Sequence, residues 1–196
     1  MKLVILHFGW GNVQSLKFAF SRLGVEAIVS ADANEIRSAD KVIFPGVGEA
    51  SHAMKSLRDS KLGEVVRELK QPVLGICLGM QLLCEHSEEG NADGLGIFKT
   101  KVKRFASDDP SVKIPHMGWN TIHKLNNPIF AGVSENSHVY YVHSYYAENC
   151  ENNSANSIYT LSYAAALSKD NFHAVQFHPE KSGIVGERIL RNFISI

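Results

Sequence analysis

Neither sign of charge is in excess: 20 Lys and Arg face 20 Asp and Glu across 196 residues, for a formal net charge of +0 at pH 7. No whole-molecule field therefore favours a polyanion, and nucleic acid and anionic membrane surfaces drop out as partners. Cysteine is scarce, with only Cys77, Cys84 and Cys150. Three thiols make no disulfide framework, and no C-x-x-C spacing marks a zinc site. No apolar run approaches the length of a membrane span. The strand-like opening Met1-Lys2-Leu3-Val4-Ile5-Leu6-His7 is too short for a secretory leader. Internal repeats, low-complexity tracts and linker-like stretches are missing too. These absences predict a single domain over residues 1–196, working in the cytoplasm without a cofactor or a metal.

What is present is an alternation of two periodicities. Residues 3–6, 25–29, 41–44 and 73–76 read as buried strands. Between them run helical stripes: Val13, Leu16, Phe20 and Leu23, then Ala50, Ala53, Met54 and Leu57, then Leu62, Val65, Val66 and Leu69. Asn12 is placed to cap the first helix. The turn Gly9-Trp10-Gly11 lacks the third glycine of a dinucleotide fingerprint, because Gln14 stands there, so a nucleotide site is set aside. The β-α-β-α order predicts an α/β fold: an open, mostly parallel or mixed sheet with helices on both faces.

The pattern changes near residue 94. From Gly94 to Phe105, Ile97, Val102 and Phe105 alternate with Lys99, Lys101, Lys103 and Arg104, which reads as a solvated strand face. Short strands are predicted at 121–122, 139–146, 158–163, 164–168 and 173–177, so the second half carries an additional antiparallel sheet region. Val185, Ile189, Leu190, Phe193 and Ile194 mark a last amphipathic helix.

The stretch Pro72-Val73-Leu74-Gly75-Ile76-Cys77-Leu78-Gly79-Met80-Gln81 organises the rest. A buried strand meets Cys77 between two glycines and gives way to a helical segment, the strand–nucleophile–helix arrangement of a nucleophile elbow. Such a turn presents a sulfur at the carboxyl end of the sheet, where open α/β sheets bind ligands. The free N–H groups of the following helix favour negative charge on it. Cys84 lies two helical turns further on, about 10 Å along the axis and too far for a disulfide, and is read as packed inside. Cys150 has no assigned role.

A cysteine nucleophile needs a base, and the base an orienting group. Nine histidines compete, and His178 stands out in Gln176-Phe177-His178-Pro179-Glu180. In an extended segment, residues two apart share a side, and Pro179 pushes His178 toward that conformation. Glu180 then reaches one imidazole nitrogen while the other points at Cys77. An oxyanion hole needs two N–H donors, which Leu78 and the loop Pro45-Gly46-Val47-Gly48 can supply. Each signal has an ordinary reading by itself: a buried cysteine acts as a small hydrophobe, and His-Pro-Glu makes a strand-end turn with an exposed ion pair. Together they make a coherent Cys77, His178 and Glu180 triad.

At this point a resemblance enters. Pro-Gly-Val-Gly at 45–48, Gly-Ile-Cys-Leu-Gly-Met-Gln at 75–81 and Gln-Phe-His-Pro-Glu-Lys-Ser at 176–182 resemble the class I (triad-type) glutamine amidotransferases. Pro115-His116-Met117-Gly118-Trp119-Asn120 and Tyr141-Val142-His143-Ser144-Tyr145 are similar to the glutaminase subunits that act in histidine biosynthesis. The resemblance implies that Cys77 attacks the side-chain amide of L-glutamine, and that water then hydrolyses a glutamyl thioester. It implies an oxyanion hole at Leu78, Val47 and Gly48, and glutamine held by Gly46, Gly48, Gln81, Ser144 and Tyr145. It further implies a heterodimer with a (β/α)8-barrel cyclase subunit that uses the ammonia. Asn12, Met117, Trp119, Asn120, Tyr140 and Lys181 would meet that partner.

The family usually opens with Asp-Tyr-Gly-x-Gly-Asn, where this chain has His7-Phe8-Gly9-Trp10-Gly11-Asn12. The missing carboxylate and hydroxyl bear on partner contacts and leave the triad untouched. Two alternatives stay open here: a paralogous subunit feeding ammonia to a sugar-modifying synthase, and a non-catalytic regulatory subunit.

Overall fold

Strand and helix alternate through the first half of the chain in the computed structural model, which describes residues 1–196. The order is β1 (Leu3–Leu6), α1 (Val13–Arg22), β2 (Ala27–Ser30), α2 (Ala33–Arg37), β3 (Lys41–Gly46), α3 (Ala50–Asp59), α4 (Leu62–Glu68), β4 (Val73–Cys77) and α5 (Leu78–Leu82). Strands then dominate: β5 (Cys84–Ser87), β6 (Ala92–Asp93), β7 (Phe98–Arg104), β8 (His116–Ile122), β9 (Ser137–His143), β10 (Tyr145–Ala147), β11 (Asn153–Ile158), β12 (Ser162–Lys169) and β13 (Phe172–Val175). Helix α6 (Gly183–Ser195) follows them.

The main sheet has seven strands in the order β11-β12-β13-β4-β3-β1-β2. Five of them, β2 to β13 in that row, run parallel, and β12 and β11 complete it antiparallel. Period-2 alternation sends neighbouring residues of each strand to opposite faces. Val4, Leu6, Val42, Phe44 and Val73 pack in one core with Met54, Leu57 and Val66 of α3 and α4. Leu3, Ile5, Ile43, Leu74 and Ile76 pack in the other with Leu16, Phe20, Ile189 and Phe193 of α1 and α6. Both faces of β1, β3 and β4 are thus covered, and these strands read as continuous apolar runs for that reason; β2, expected to be buried, lies at the sheet edge and leaves Ile28 and Val29 exposed. Two smaller sheets, β10-β7-β5-β6 and β8-β9, supply the additional region. No helix is long and apolar enough to cross a membrane.

Several boundaries differ from those the sequence predicts. The second strand starts at Ala27 rather than Val25, because the N–H groups of Gly24 and Val25 still bond to Ser21 and Phe20 and close the end of α1. The strand expected over 139–146 is two strands broken at Ser144. No strand spans 158–163; the chain turns there, with the Tyr159 N–H bonded to the Leu161 carbonyl between β11 and β12.

The helix after Cys77 is only five residues long. Cys84 therefore stands at the start of β5, opposite Phe98, and not two helical turns along. The N–H groups of Ile97 and Phe98 both bond to the Leu83 carbonyl, which ends the helix by drawing the chain into the second sheet. Cys84 is fully buried, with its thiol 3.5 Å from the Met80 carbonyl, and burial pushes that thiol far up in pKa.

Candidate active site

Cys77 ends β4 with φ 55° and ψ −113°, a conformation that side-chain-bearing residues rarely adopt and that nucleophile elbows impose. What enforces it is close packing behind the turn. A methyl group at Gly79 would run into the carbonyl oxygen of Phe44 and come within 2.9 Å of its carbon, so only glycine lets α5 lie this close to β3. Gly46 pairs with Cys77 across β3 and β4. Cys77 is 7% exposed, with Sγ 3.8 Å from Gln176 Nε2 and 3.9 Å from the Val142 carbonyl.

His178 follows β13, the parallel neighbour of β4 on the side away from β3, so the sheet order brings residue 178 beside residue 77. Its backbone is extended, at φ −98° and ψ 96°, and its N–H bonds to the Tyr140 carbonyl at 2.9 Å. Glu180 reaches the imidazole by a route other than the predicted extended segment: Pro179–Lys181 form a 3-10 turn that folds the carboxylate back. Glu180 Oε1 lies 2.8 Å from His178 Nδ1, and the two side chains are 1% and 4% exposed. A carboxylate accepts only, so Nδ1 carries the proton and Nε2 is the ring nitrogen left open. Nε2 is buried without a hydrogen-bond partner, as is Glu180 Oε2. Burial alone pushes the His178 pKa down, but the Cys77 sulfur and then the Glu180 carboxylate outweigh it and raise the group to about 10. A positive imidazole facing a sulfur is thereby favoured.

Cys77 and His178 open onto one cavity of about 210 Å³. Its wall includes Val47, Gly48, Leu78, Gln81, Ser144 and Tyr145, so most of the residues expected to hold glutamine or an oxyanion meet at one place. Gly46 does not reach the wall and acts behind it through its pairing with Cys77. Gly48 sits at φ +93° under the Trp10 ring, where an added Cβ would come 2.7 Å from Trp10 Cε3. Gln81 is tightly held: its Nε2 donates to the Tyr145 carbonyl and to Gln176 Oε1, each at 2.9 Å.

Three lining or neighbouring groups escape the sequence reading. Gln176 contacts both Gln81 and Cys77. His143 lines the cavity, and burial lowers its pKa to about 3. Glu89 also lines it, accepting the Ala50 N–H at 2.9 Å, with its pKa raised by burial. Glu89 comes from the polar stretch Ser87-Glu88-Glu89-Gly90, which carries no signal beyond a solvated loop. No three His, Cys, Asp or Glu side chains converge as a metal site.

The residues expected to meet a partner lie partly on one strand pair. Trp119 and Tyr140 face each other across β8 and β9 with ring centroids 6.0 Å apart, and Lys181 Nζ lies 5.9 Å from the Tyr140 ring. Met117 is 64% exposed and Trp119 56%, unusual for apolar side chains of this size. The two asparagines are occupied within the chain: Asn12 caps α1 through Ser15, and Asn120 Nδ2 donates to the Ile158 carbonyl.

The model of the family "Glutamine amidotransferase class-I" matches residues 4–196. Imidazole glycerol phosphate synthase subunit HisH of Bacteroides thetaiotaomicron is 53% identical over 196 residues, covering 100% of both chains. The HisH subunit of Haemophilus influenzae is 46% identical over 195 residues, covering 99% of this chain and 97% of that one. Among solved structures, a glutamine amidotransferase aligns with a TM-score of 0.73 at 20% identity, covering 98% of this chain and 97% of its own. PurLQS from Thermotoga maritima aligns with a TM-score of 0.72 at 16% identity, covering 99% and 97%. These structures bear on the fold, and the full-length relatives bear on the family. The chain belongs to the class I glutamine amidotransferases and, within them, to the family of imidazole glycerol phosphate synthase subunit HisH.

Proposed function

We propose that the protein hydrolyses L-glutamine to glutamate and ammonia at Cys77 and delivers the ammonia to a (β/α)8-barrel cyclase subunit in histidine biosynthesis. The Cys77 sulfur adds to the amide carbon, and the C=O electron pair moves onto oxygen, where the N–H groups of Leu78 and of Val47 or Gly48 receive it. The tetrahedral adduct collapses with cleavage of the C–N bond. His178 gives its Nε2 proton to the departing nitrogen, and ammonia leaves a glutamyl thioester. His178, now neutral at Nε2, takes a proton from water, which adds to the thioester and frees glutamate and the sulfur. Glu180 fixes the ring and stabilises its charged form throughout.

The observation that carries this reading is the meeting of a strained, cavity-facing cysteine with a buried histidine–carboxylate pair beyond the carboxyl ends of adjacent parallel strands. Gly48, Gln81, Ser144 and Tyr145 hold the substrate in this scheme, and Gly46 supports the site from behind through its pairing with Cys77. Asn12, Met117, Trp119, Asn120, Tyr140 and Lys181 form the partner face, supported by the exposure of Met117 and Trp119. The histidine-pathway acceptor is favoured over a sugar-modifying synthase because full-length relatives at 53% identity bear the imidazole glycerol phosphate synthase name. The test is glutamate release from the chain alone, with its host's barrel cyclase, and with that cyclase plus its ligand. Stimulation that disappears in Cys77→Ala is expected. Release unchanged in Cys77→Ala refutes the nucleophile, and no stimulation by the cyclase refutes the acceptor.

A further inference from the structure

Beside the cavity lies a polar cluster that the proposed chemistry does not use. His143 ends β9, and its Nδ1 is 2.7 Å from the Tyr145 carbonyl, across the break at Ser144. Its Nε2 is 3.2 Å from Nδ1 of His116, at the start of β8. His116 Nε2 in turn is 3.4 Å from Asn120 Nδ2. His116 and His143 are 4% and 6% exposed, and the His116 ring is stacked between Tyr159, with centroids 4.0 Å apart, and Tyr141, at 5.0 Å.

The direction of every bond in this series follows from its last acceptor. A carbonyl cannot donate, so His143 Nδ1 bears a hydrogen. Burial holds both rings neutral near pH 7, with pKa values lowered to about 3 for His143 and about 4 for His116. Neutral His143 then has a bare Nε2, which obliges His116 Nδ1 to donate to it. That leaves His116 Nε2 bare, to accept from the Asn120 amide. The Tyr163 hydroxyl, 3.5 Å from His116 Nδ1 and 3.4 Å from His143 Nε2, fits the same direction by accepting from one and donating to the other. One acceptor thus fixes two tautomers.

The Tyr145 carbonyl that ends the series also receives Gln81 Nε2. It belongs to the short link, Ser144–Tyr145, that lines the cavity. We propose that His143, oriented by His116 and Asn120, is a positioning residue that holds the Ser144–Tyr145 backbone in its glutamine-binding shape. This rests on the glutaminase reading for the identity of the substrate; the tautomers do not depend on it.

Two measurements test the proposal. Imidazole ¹⁵N spectra of the full-length chain at neutral pH are expected to show two neutral Nδ1–H histidines, one lost in His116→Asn and the other in His143→Phe. An Nε2–H tautomer or a charged ring at either position overturns the relay. In glutamine titrations with the cyclase and its ligand present, His143→Phe fills the space without a donor and is expected to raise KM about tenfold, with a smaller change in kcat. His143→Asn keeps an N–H near the Nδ1 position and is expected to bring KM back to within about threefold of wild type. A wild-type KM in His143→Phe, or an Asn variant as poor as the Phe variant, overturns the positioning role. A wild-type chain that turns over no glutamine defeats the glutaminase reading instead, and the spectra then decide the relay.

Discussion

Replacing Gly79 by alanine tests whether close packing behind the elbow sets the geometry of Cys77. The new methyl would overlap the Phe44 carbonyl oxygen and sit 2.9 Å from the Phe44 carbon and 3.2 Å from the Pro45 carbon. All three are backbone atoms of β3, and none can rotate away as a side chain would. The strain therefore falls at the upper end of overpacking costs, about 3 kcal/mol or more. For a chain of 196 residues that predicts a thermal midpoint lowered by roughly 6–12 °C. Relief requires α5 to move away from β3, and α5 begins at the residue after Cys77. A displacement on the order of 1 Å at a reacting atom costs about a hundredfold in rate. Gly24→Ala is the comparison: unlike Gly79 it sits at positive φ, +77°, but its Cβ would meet nothing within 4 Å. It is expected to lose only about 1 kcal/mol to backbone strain and to keep full turnover. The assays are thermal melting and partner-stimulated glutamate release. A Gly79→Ala protein with wild-type melting and wild-type turnover would refute the reasoning.

Three further outcomes are expected. His178 binds its proton more tightly in the folded chain than an unfolded imidazole does. The resulting stabilisation is complete below about pH 6.5 and is lost as the pH rises through about 10. Glu180→Gln removes one of the two groups raising that pKa, so its melting midpoint is expected to vary less than wild type across this window. Its glutamate release is expected to fall at least about a hundredfold, and superimposable pH–midpoint curves would contradict this. Alkylation of the native chain at pH 8, read by peptide mass spectrometry, is expected to modify Cys77 in its cavity and spare Cys84, which is fully buried with a strongly raised pKa. Trp119→Ala, at a side chain 56% exposed, is expected to change stability by less than about 0.5 kcal/mol while lowering cyclase-stimulated turnover; unaltered stimulation would remove Trp119 from the partner face.

The first half of the fold was legible because β1, β3 and β4 are buried on both faces and its helices carry stripes at helical spacing. Met54 and Leu57 in α3 and Val65 and Val66 in α4 are buried as their spacing predicts. The second half was harder to read because pairing partners far apart in sequence decide it. Nothing local to residues 158–163 says that the chain turns at Tyr159, and nothing at Cys84 says that β7 claims it as a strand. Within the candidate site, Cys77, His178 and Glu180 sit in motifs whose glycines and proline state their backbone needs. Glu89, Gln176 and His143 carry no such mark, since each gains its position from packing against a distant segment. The His178–Glu180 contact is reached by a route the local sequence does not state, as the 3-10 turn rather than an extended run brings the carboxylate round.

The insertion of β13 between β4 and β12 sets an order of events during synthesis. Ile76 emerges from the ribosome about 100 residues before its partner Val175. At 5–20 residues per second, the thiol waits roughly 5–20 s for the strand that carries the imidazole to its side. Through that interval one edge of β4 stays open, an apolar edge of the kind that invites pairing with other chains. The nascent protein therefore holds a cysteine without a base and cannot act on substrate early. It also depends on its last strand to seal the centre of its sheet, so a chain cut short before residue 172 loses chemistry and solubility together.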